Sequence, residues 1–148
     1  MTDIVDPVTR SRMMSGIRGA NTKPELQIRK ALHRLGFRFR LHVRNLPGKP
    51  DIVLPRYNAV VFVHGCFWHG HACHLFKLPG TRQDFWKEKI FRNQQNDKKA
   101  ADALSKGGWR VAVVWECAIR GSGKDVAAIG LRLAEWIRSE KQTIEVML

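Results

Sequence analysis

The chain is short of acid. Its 13 Asp and Glu face 26 Lys and Arg, which leaves a formal charge of +13 and a pI near 10.4. That imbalance excludes a self-neutralised surface and favours capture of polyanions. Nucleic acid leads among these, because neutralised phosphates release counterions and supply most sequence-independent affinity. Long apolar runs are missing too. No stretch of 18 or more apolar residues occurs, so no membrane-spanning helix is expected. The N-terminal MTDIVDPVTRSRMM has neither an apolar h-region nor a cleavage signal. Neither a lipidation signal nor a basic helix with a strong apolar face stands out. The expectation is a cytoplasmic protein that stays off the membrane. Cysteine is scarce and odd in number, at Cys66, Cys73 and Cys117. That argues against a disulfide framework and leaves metal ligation or plain burial. Internal repeats and low-complexity tracts are absent.

What is present fits one domain: 148 residues with 44% apolar content. Residues 1–20 form a basic, irregular segment with Arg10, Arg12 and Arg18 around Met13, Met14 and Ile17. Residues 21–148 read as the single folded domain. A helix starts at TKPE, where Thr22 caps, Pro24 sits in the first turn and Glu25 takes the capping-box position. Leu26, Ala31, Leu32 and Leu35 then recur near helical spacing until Gly36. FRFRLHV (37–43) alternates with period two, as a half-buried strand does. DIVLP (51–55) is a short apolar run closed by proline. AVVFVHG (59–65) and WRVAVVWEC (109–117) are apolar on both faces and read as central strands. Residues 82–106 read as a long helix with Thr81 as its cap, although its middle, RNQQNDKK, is too polar for core. A last helix over 124–140 aligns Ile129, Leu133, Trp136 and Ile137. The order helix, three strands, helix, strand, helix predicts a three-layer α/β fold with a central mixed sheet flanked by helices.

One loop concentrates chemistry. HGCFWHGHAC (64–73) carries three histidines, two cysteines and an adjacent Phe-Trp pair just after a central strand. Thiolate and imidazole are the ligands zinc favours, usually four in tetrahedral array. If the strands ending near Cys66 and Cys117 are parallel neighbours, Cys117 closes a Cys₃His site with Cys66, Cys73 and one histidine. Spacing does not choose among His69, His71 and His74. The alternative is three buried free thiols and solvated histidines, which a loop so rich in both ligand types disfavours. Asp51 heads one strand and His64 ends the next. A carboxylate beside a basic group at adjacent strand ends suits a magnesium nuclease, in which the carboxylate oxygen binds a hard cation that bridges a phosphate. The competing reading of Asp51 is a turn residue.

Five segments then resemble one family. TRSRMM, PGKPDIVL, VFVHGCFWHGHAC, TRQDFWKEKIFRN and GWRVAVVWECAIRG, taken together and in order, are similar to the very-short-patch-repair (Vsr) mismatch endonucleases, and the resemblance runs from about Thr9 to Trp136. The resemblance implies a restriction-endonuclease-like fold and a strand-specific nick 5′ to the T of a T:G mismatch. Such mismatches arise when 5-methylcytosine deaminates. It implies Asp51 as the magnesium ligand, with Glu25 supporting the ion's hydration. His64 and His69 would act at the attacking water and scissile phosphate, with His69 the general base. It implies a structural zinc on Cys66, His71, Cys73 and Cys117. Phe67, Trp68 and Trp86 would form an aromatic wedge in the base stack, with Met14 entering from the minor-groove side. Lys89 and Asn93, four residues apart, would contact the wobble pair. Where members commonly carry Thr before the strand-end histidine, this chain has Val63; a main-chain carbonyl there would serve magnesium equally.

The implied partners are double-stranded DNA with a T:G mismatch, a cytosine-5 DNA methyltransferase in the same cell, and repair polymerase or mismatch-repair factors. A monomer at the bacterial nucleoid suffices for a single nick. Two further readings stand beside this one: a zinc-stabilised DNA-binding module without catalysis, and a related nuclease with different mismatch or site specificity. Without the resemblance, the three aromatics read as ordinary core.

Overall fold

In the computed structural model of this chain, residues 22–121 and 123–147 are described. The basic segment 1–20, with Met14, lies outside them. The first helix, α1 (Lys23–Arg34), begins as its sequence dictates. The Thr22 hydroxyl accepts the Glu25 backbone N–H at 3.4 Å, and proline occupies the first turn. Its end is also local: Gly36 takes a φ of +93° that turns the chain out of the helix.

Five strands follow in spatial order β1-β2-β3-β4-β5. β1 (Arg40–Leu41), β2 (Ile52–Leu54) and β3 (Ala59–His64) pair antiparallel. A 3₁₀ turn at Pro55–Tyr57 closes the β2–β3 hairpin, and Asn58 takes the left-handed position after it. β4 (Arg110–Trp115) and β5 (Thr143–Val146) are parallel to β3. Parallel neighbours need a crossover, and the two helices provide it. α2 (Gln83–Lys106) links β3 to β4, and α3 (Val126–Arg138) links β4 to β5.

Alternation along the strands sorts the two faces of the sheet. Ile52, Leu54, Val61, Ala112 and Val114 pack with Ile28 and Leu32 of α1 and Leu133 and Ile137 of α3. Val53, Val60, Phe62 and Val111 pack with Leu104 of α2 on the other face. The three layers and mixed sheet match the sequence-based expectation. α1 and α3 approach closely because Gly130 stands at their crossing. A Cβ there would lie 2.9 Å from the Ala31 Cβ. Among the described residues, no helix is long and apolar enough to cross a membrane.

Three differences from the sequence-based expectation have physical causes. The strand expected over 37–43 shrinks to two residues, because His42 adopts a φ of +51° and breaks the extended chain. β5 was not anticipated: its TIEV is short, and only Val146 is buried. The cap expected from Thr81 is absent, since Arg82 occupies the N-cap position in a left-handed conformation with no side-chain bond.

Candidate functional site

The ends of β3 and β4, the start of β2 and the first turn of α1 border a cleft of about 1160 Å³. α2 closes its other side. Asp51 lies just before β2, and its Oδ2 accepts the Val63 backbone N–H of β3 at 2.7 Å. Burial and the like charge of Glu25 push its carboxyl up to about 6, against the pull of that N–H. Burial dominates, because water is a better host for a carboxylate than the protein interior. A divalent cation would reverse that cost. Glu25, 2% exposed, is held by Arg29 at 2.6 Å. His42 completes this corner, with Nε2 3.1 Å from Glu25 Oε1.

A second group faces the same cleft. His64 ends β3 and lies buried, its ring stacked on His69 with centroids 3.8 Å apart and planes 5° from parallel. Burial first, and the His69 charge second, lower the His64 pKa to about 3, so it is neutral. Its Nδ1 finds no hydrogen-bond partner among the described residues. His69 Nδ1 lies 2.5 Å from Asp97 Oδ2 on α2. With a carboxylate on Nδ1, the neutral ring carries its proton there, and Nε2 keeps the lone pair. That is the form a general base requires. Asp97 and His42 were missed in the sequence. The signal for Asp97 was available: Lys89, Asn93 and Asp97 recur every four residues, on one face of α2. The polar middle of this helix is therefore the cleft wall.

The cysteine cluster follows from register. His64 pairs with Trp115 across parallel strands, so Cys66 and Cys117 emerge together two residues later. The Cys117 N–H donates to Cys66 Sγ at 3.3 Å, and His71 Nδ1 approaches Cys117 Sγ at 3.6 Å. Cys66, His71, Cys73 and Cys117 each offer a donor atom, and all four lie within 4.8 Å of one another. Burial pushes the Cys66 thiol well up; a cation displaces such protons when it binds. This set can hold a metal ion. Of the three histidines left open by spacing, His71 is the one gathered in. His74 is exposed, and His69 belongs to Asp97. The His71 ring also stacks on Trp115 at 4.3 Å, and Trp115 meets His64 edge-on at 5.2 Å. One indole thus joins the cluster to the histidine pair.

The aromatics gather as a half-buried group. Trp86 lies 5.5 Å from Phe67 and 5.8 Å from Trp68 by ring centroids. Asn93 Nδ2 donates to the Trp68 carbonyl at 2.8 Å, which ties the loop to α2. Gly70 lets the loop press against that helix. It has a φ of +66°, and a Cβ there would meet Ile90 Cγ2 at 2.6 Å. Lys89 and Asn93 line the cleft with Phe67 and Trp68.

Comparison with known proteins gives a consistent set of relatives. A family model described as DNA mismatch endonuclease Vsr matches residues 2–75. The chain is 48% identical over 133 residues to the type II nicking enzyme V.XorIIP of Xanthomonas oryzae pv. oryzae, covering 90% of this chain and 95% of that protein. It is 44% identical over 147 residues to the DNA mismatch endonuclease Vsr of Escherichia coli, covering 99% and 94%. It is also 44% identical over 144 residues to the type II nicking enzyme V.NmeAIP of Neisseria meningitidis, covering 97% and 100%.

Proposed function

The chain belongs to the DNA mismatch endonuclease Vsr family, and we propose that it is a magnesium-dependent endonuclease that nicks one strand 5′ to the T of a T:G mismatch. One observation carries the reading: the stacked His64–His69 pair, with Asp97 behind it, lines the same cleft as Asp51. A binding module would have no need of a base oriented by a carboxylate beside a buried acid.

The donor set fits a hard cation. Asp51 and the main-chain carbonyl of Val63 would hold magnesium, which stabilises charge on the scissile phosphate. The Val63 N–H already bonds Asp51, so the main chain is at the pocket whatever side chain it bears. Glu25 orders the surrounding water. His69 accepts the proton of the attacking water through Nε2, and Asp97 steadies the imidazolium that results. Neutral His64 packs against His69 and fixes its plane. Cys66, His71, Cys73 and Cys117 would hold zinc, whose role is structural.

Phe67, Trp68 and Trp86 wedge into the duplex, where a mispaired step costs least to unstack. Lys89 and Asn93 contact the wobble pair, and Met14 of the N-terminal segment enters the minor groove. The +13 charge supports capture of the duplex. Residues 21–148 act as one nuclease domain, and one copy suffices for one nick. The protein works at chromosomal DNA in the cytoplasm, beside a cytosine-5 methyltransferase, and hands its nick to repair polymerase or mismatch-repair factors.

The test is a nicking assay on T:G and matched duplexes, with zinc present and magnesium supplied or withheld. Nicking of the T strand alone, only at the mismatch and only with magnesium, is the expected outcome. Tight binding without any nick would favour the binding module, and nicking of matched duplex would favour a different specificity. Trp68→Ala should lower mismatch preference by about 1–3 kcal/mol, the scale of base–aromatic stacking. Competition between mismatched and matched duplexes measures it; equal losses on both would return Trp68 to the core. Asp97→Asn should lower kcat by about 10²-fold, the low end for positioned proton transfer, with little change in DNA affinity. Single-turnover nicking against fluorescence anisotropy separates the two.

A further inference from the structure

His42 stands where a local reading of the chain gives it no reason to be. It ends β1 in a left-handed conformation, φ +51°, which is uncommon for a residue with a Cβ, although histidine tolerates it better than most. The turn carries its ring into the corner occupied by Glu25 and Asp51. Nε2 comes within 2.8 Å of the Arg29 guanidinium and 3.1 Å of Glu25 Oε1.

The hydrogen-bond arithmetic at that point is unusual. A guanidinium has only donors, so the His42 nitrogen facing Arg29 is the one with a lone pair. Arg29 NH2 donates to Glu25 Oε1 as well, at 2.6 Å. Two acceptors, one nitrogen and one oxygen, therefore converge with a single cationic nitrogen between them. Asp51 adds a third. Glu25, His42 and Asp51 each offer a donor atom, and all three lie within 4.8 Å of one another. Arg29 supplies the positive charge at that point.

We propose that His42 is a nitrogen ligand of the catalytic cation pocket, joining the oxygen ligand Asp51 beside the water that Glu25 orders, and that this mixed nitrogen–oxygen site binds manganese more tightly than magnesium. The inference rests on the cation dependence proposed above and adds the identity of the favoured ion. Magnesium prefers oxygen ligands and retains its waters. Imidazole nitrogen suits first-row transition ions rather than magnesium, and manganese, the weakest binder of that series, is the member that also takes oxygen ligands as magnesium does. A pocket built of oxygen alone would not discriminate in this way.

The experiment uses the full-length, zinc-loaded protein without DNA. Manganese is titrated in and the free ion followed by electron paramagnetic resonance, with magnesium as competitor. Wild type should bind manganese at this pocket more tightly than magnesium, and the bound ion should show nitrogen modulation in its electron spin echo. His42→Gln keeps size and polarity but removes the imidazole. It should reduce the manganese-over-magnesium preference by about 10- to 100-fold, the scale on which even the outer-shell partners of metal ligands act, and the nitrogen modulation should fall. Unchanged preference or unchanged modulation in His42→Gln overturns the proposal, as does a wild type without preference. Asp51→Asn separates the two readings. It should lose both ions, and if it binds both as wild type does, the cation pocket itself is wrong rather than the role of His42. Circular dichroism and zinc content confirm that each variant is folded.

Discussion

Asp51→Asn should abolish nicking, lowering the single-turnover rate by about 10³-fold or more. A Lewis acid at a phosphoryl oxygen contributes several kcal/mol to the transition state, and each 1.36 kcal/mol is tenfold in rate. The substitution is chosen because the amide oxygen can still accept the Val63 N–H that Asp51 accepts at 2.7 Å. The β2–β3 edge should therefore stay intact. DNA affinity should be unchanged or higher, because a buried carboxylate near the phosphate path is replaced by a neutral group. Anisotropy on the mismatched duplex measures the affinity, and quenched-flow nicking measures the rate. A variant that nicks within tenfold of wild type would remove Asp51 from the chemistry.

On the proposed zinc assignment, Cys117→Ser should abolish zinc binding and cost much of the protein's stability. Serine preserves size but offers no thiolate at neutral pH. Structural zinc sites contribute roughly 10–16 kcal/mol of apparent binding free energy in small domains, while whole domains are stable by only about 5–15 kcal/mol. Here the sheet and helices share the burden, so the loss is partial. Even a loss of about 3–5 kcal/mol lowers the unfolding midpoint by roughly 10 °C in a chain of this size. Zinc content by atomic absorption and a thermal scan check the two effects together. One zinc per chain in the variant would take Cys117 out of the site. His71 stacks on Trp115, and Trp115 meets His64 edge-on, so loss of zinc should loosen both contacts. Nicking should therefore fall even at temperatures where the variant remains folded.

The central strands were legible because they are buried on both faces and uninterrupted. AVVFVHG and WRVAVVWEC became β3 and β4, parallel and adjacent as the cysteine chemistry required. The edges were not. β1 and β5 are short and mostly exposed, so their sequences carry little alternation, and pairing with a neighbour decides them. The loop's donor chemistry was visible in its composition, but the choice of His71 depended on how Gly70 turns the chain against Ile90. Asp97 sat in a stretch too polar to be core. Its contact with His69 emerges only when the loop after β3 reaches that helix, 28 residues away in sequence. His42 was hidden for the opposite reason: it lies inside an alternating pattern that reads as strand, and the pattern breaks at that residue.

The β3–β4 pairing has a further consequence. His64 and the approach to Cys66 lie on one strand, and Trp115 and the approach to Cys117 on the other, in a single ladder from Ala59↔Arg110 to His64↔Trp115. A slip of one residue would turn every side chain on a strand to the wrong face. It would separate the thiols and turn His64 away from His69 in the same event. The histidine pair and the cysteine cluster therefore share one ruler. On the proposed roles of His64 and His69 a misaligned chain would be disarmed as well as misfolded, and the alignment of two strands would act as a safety catch on an enzyme that breaks DNA.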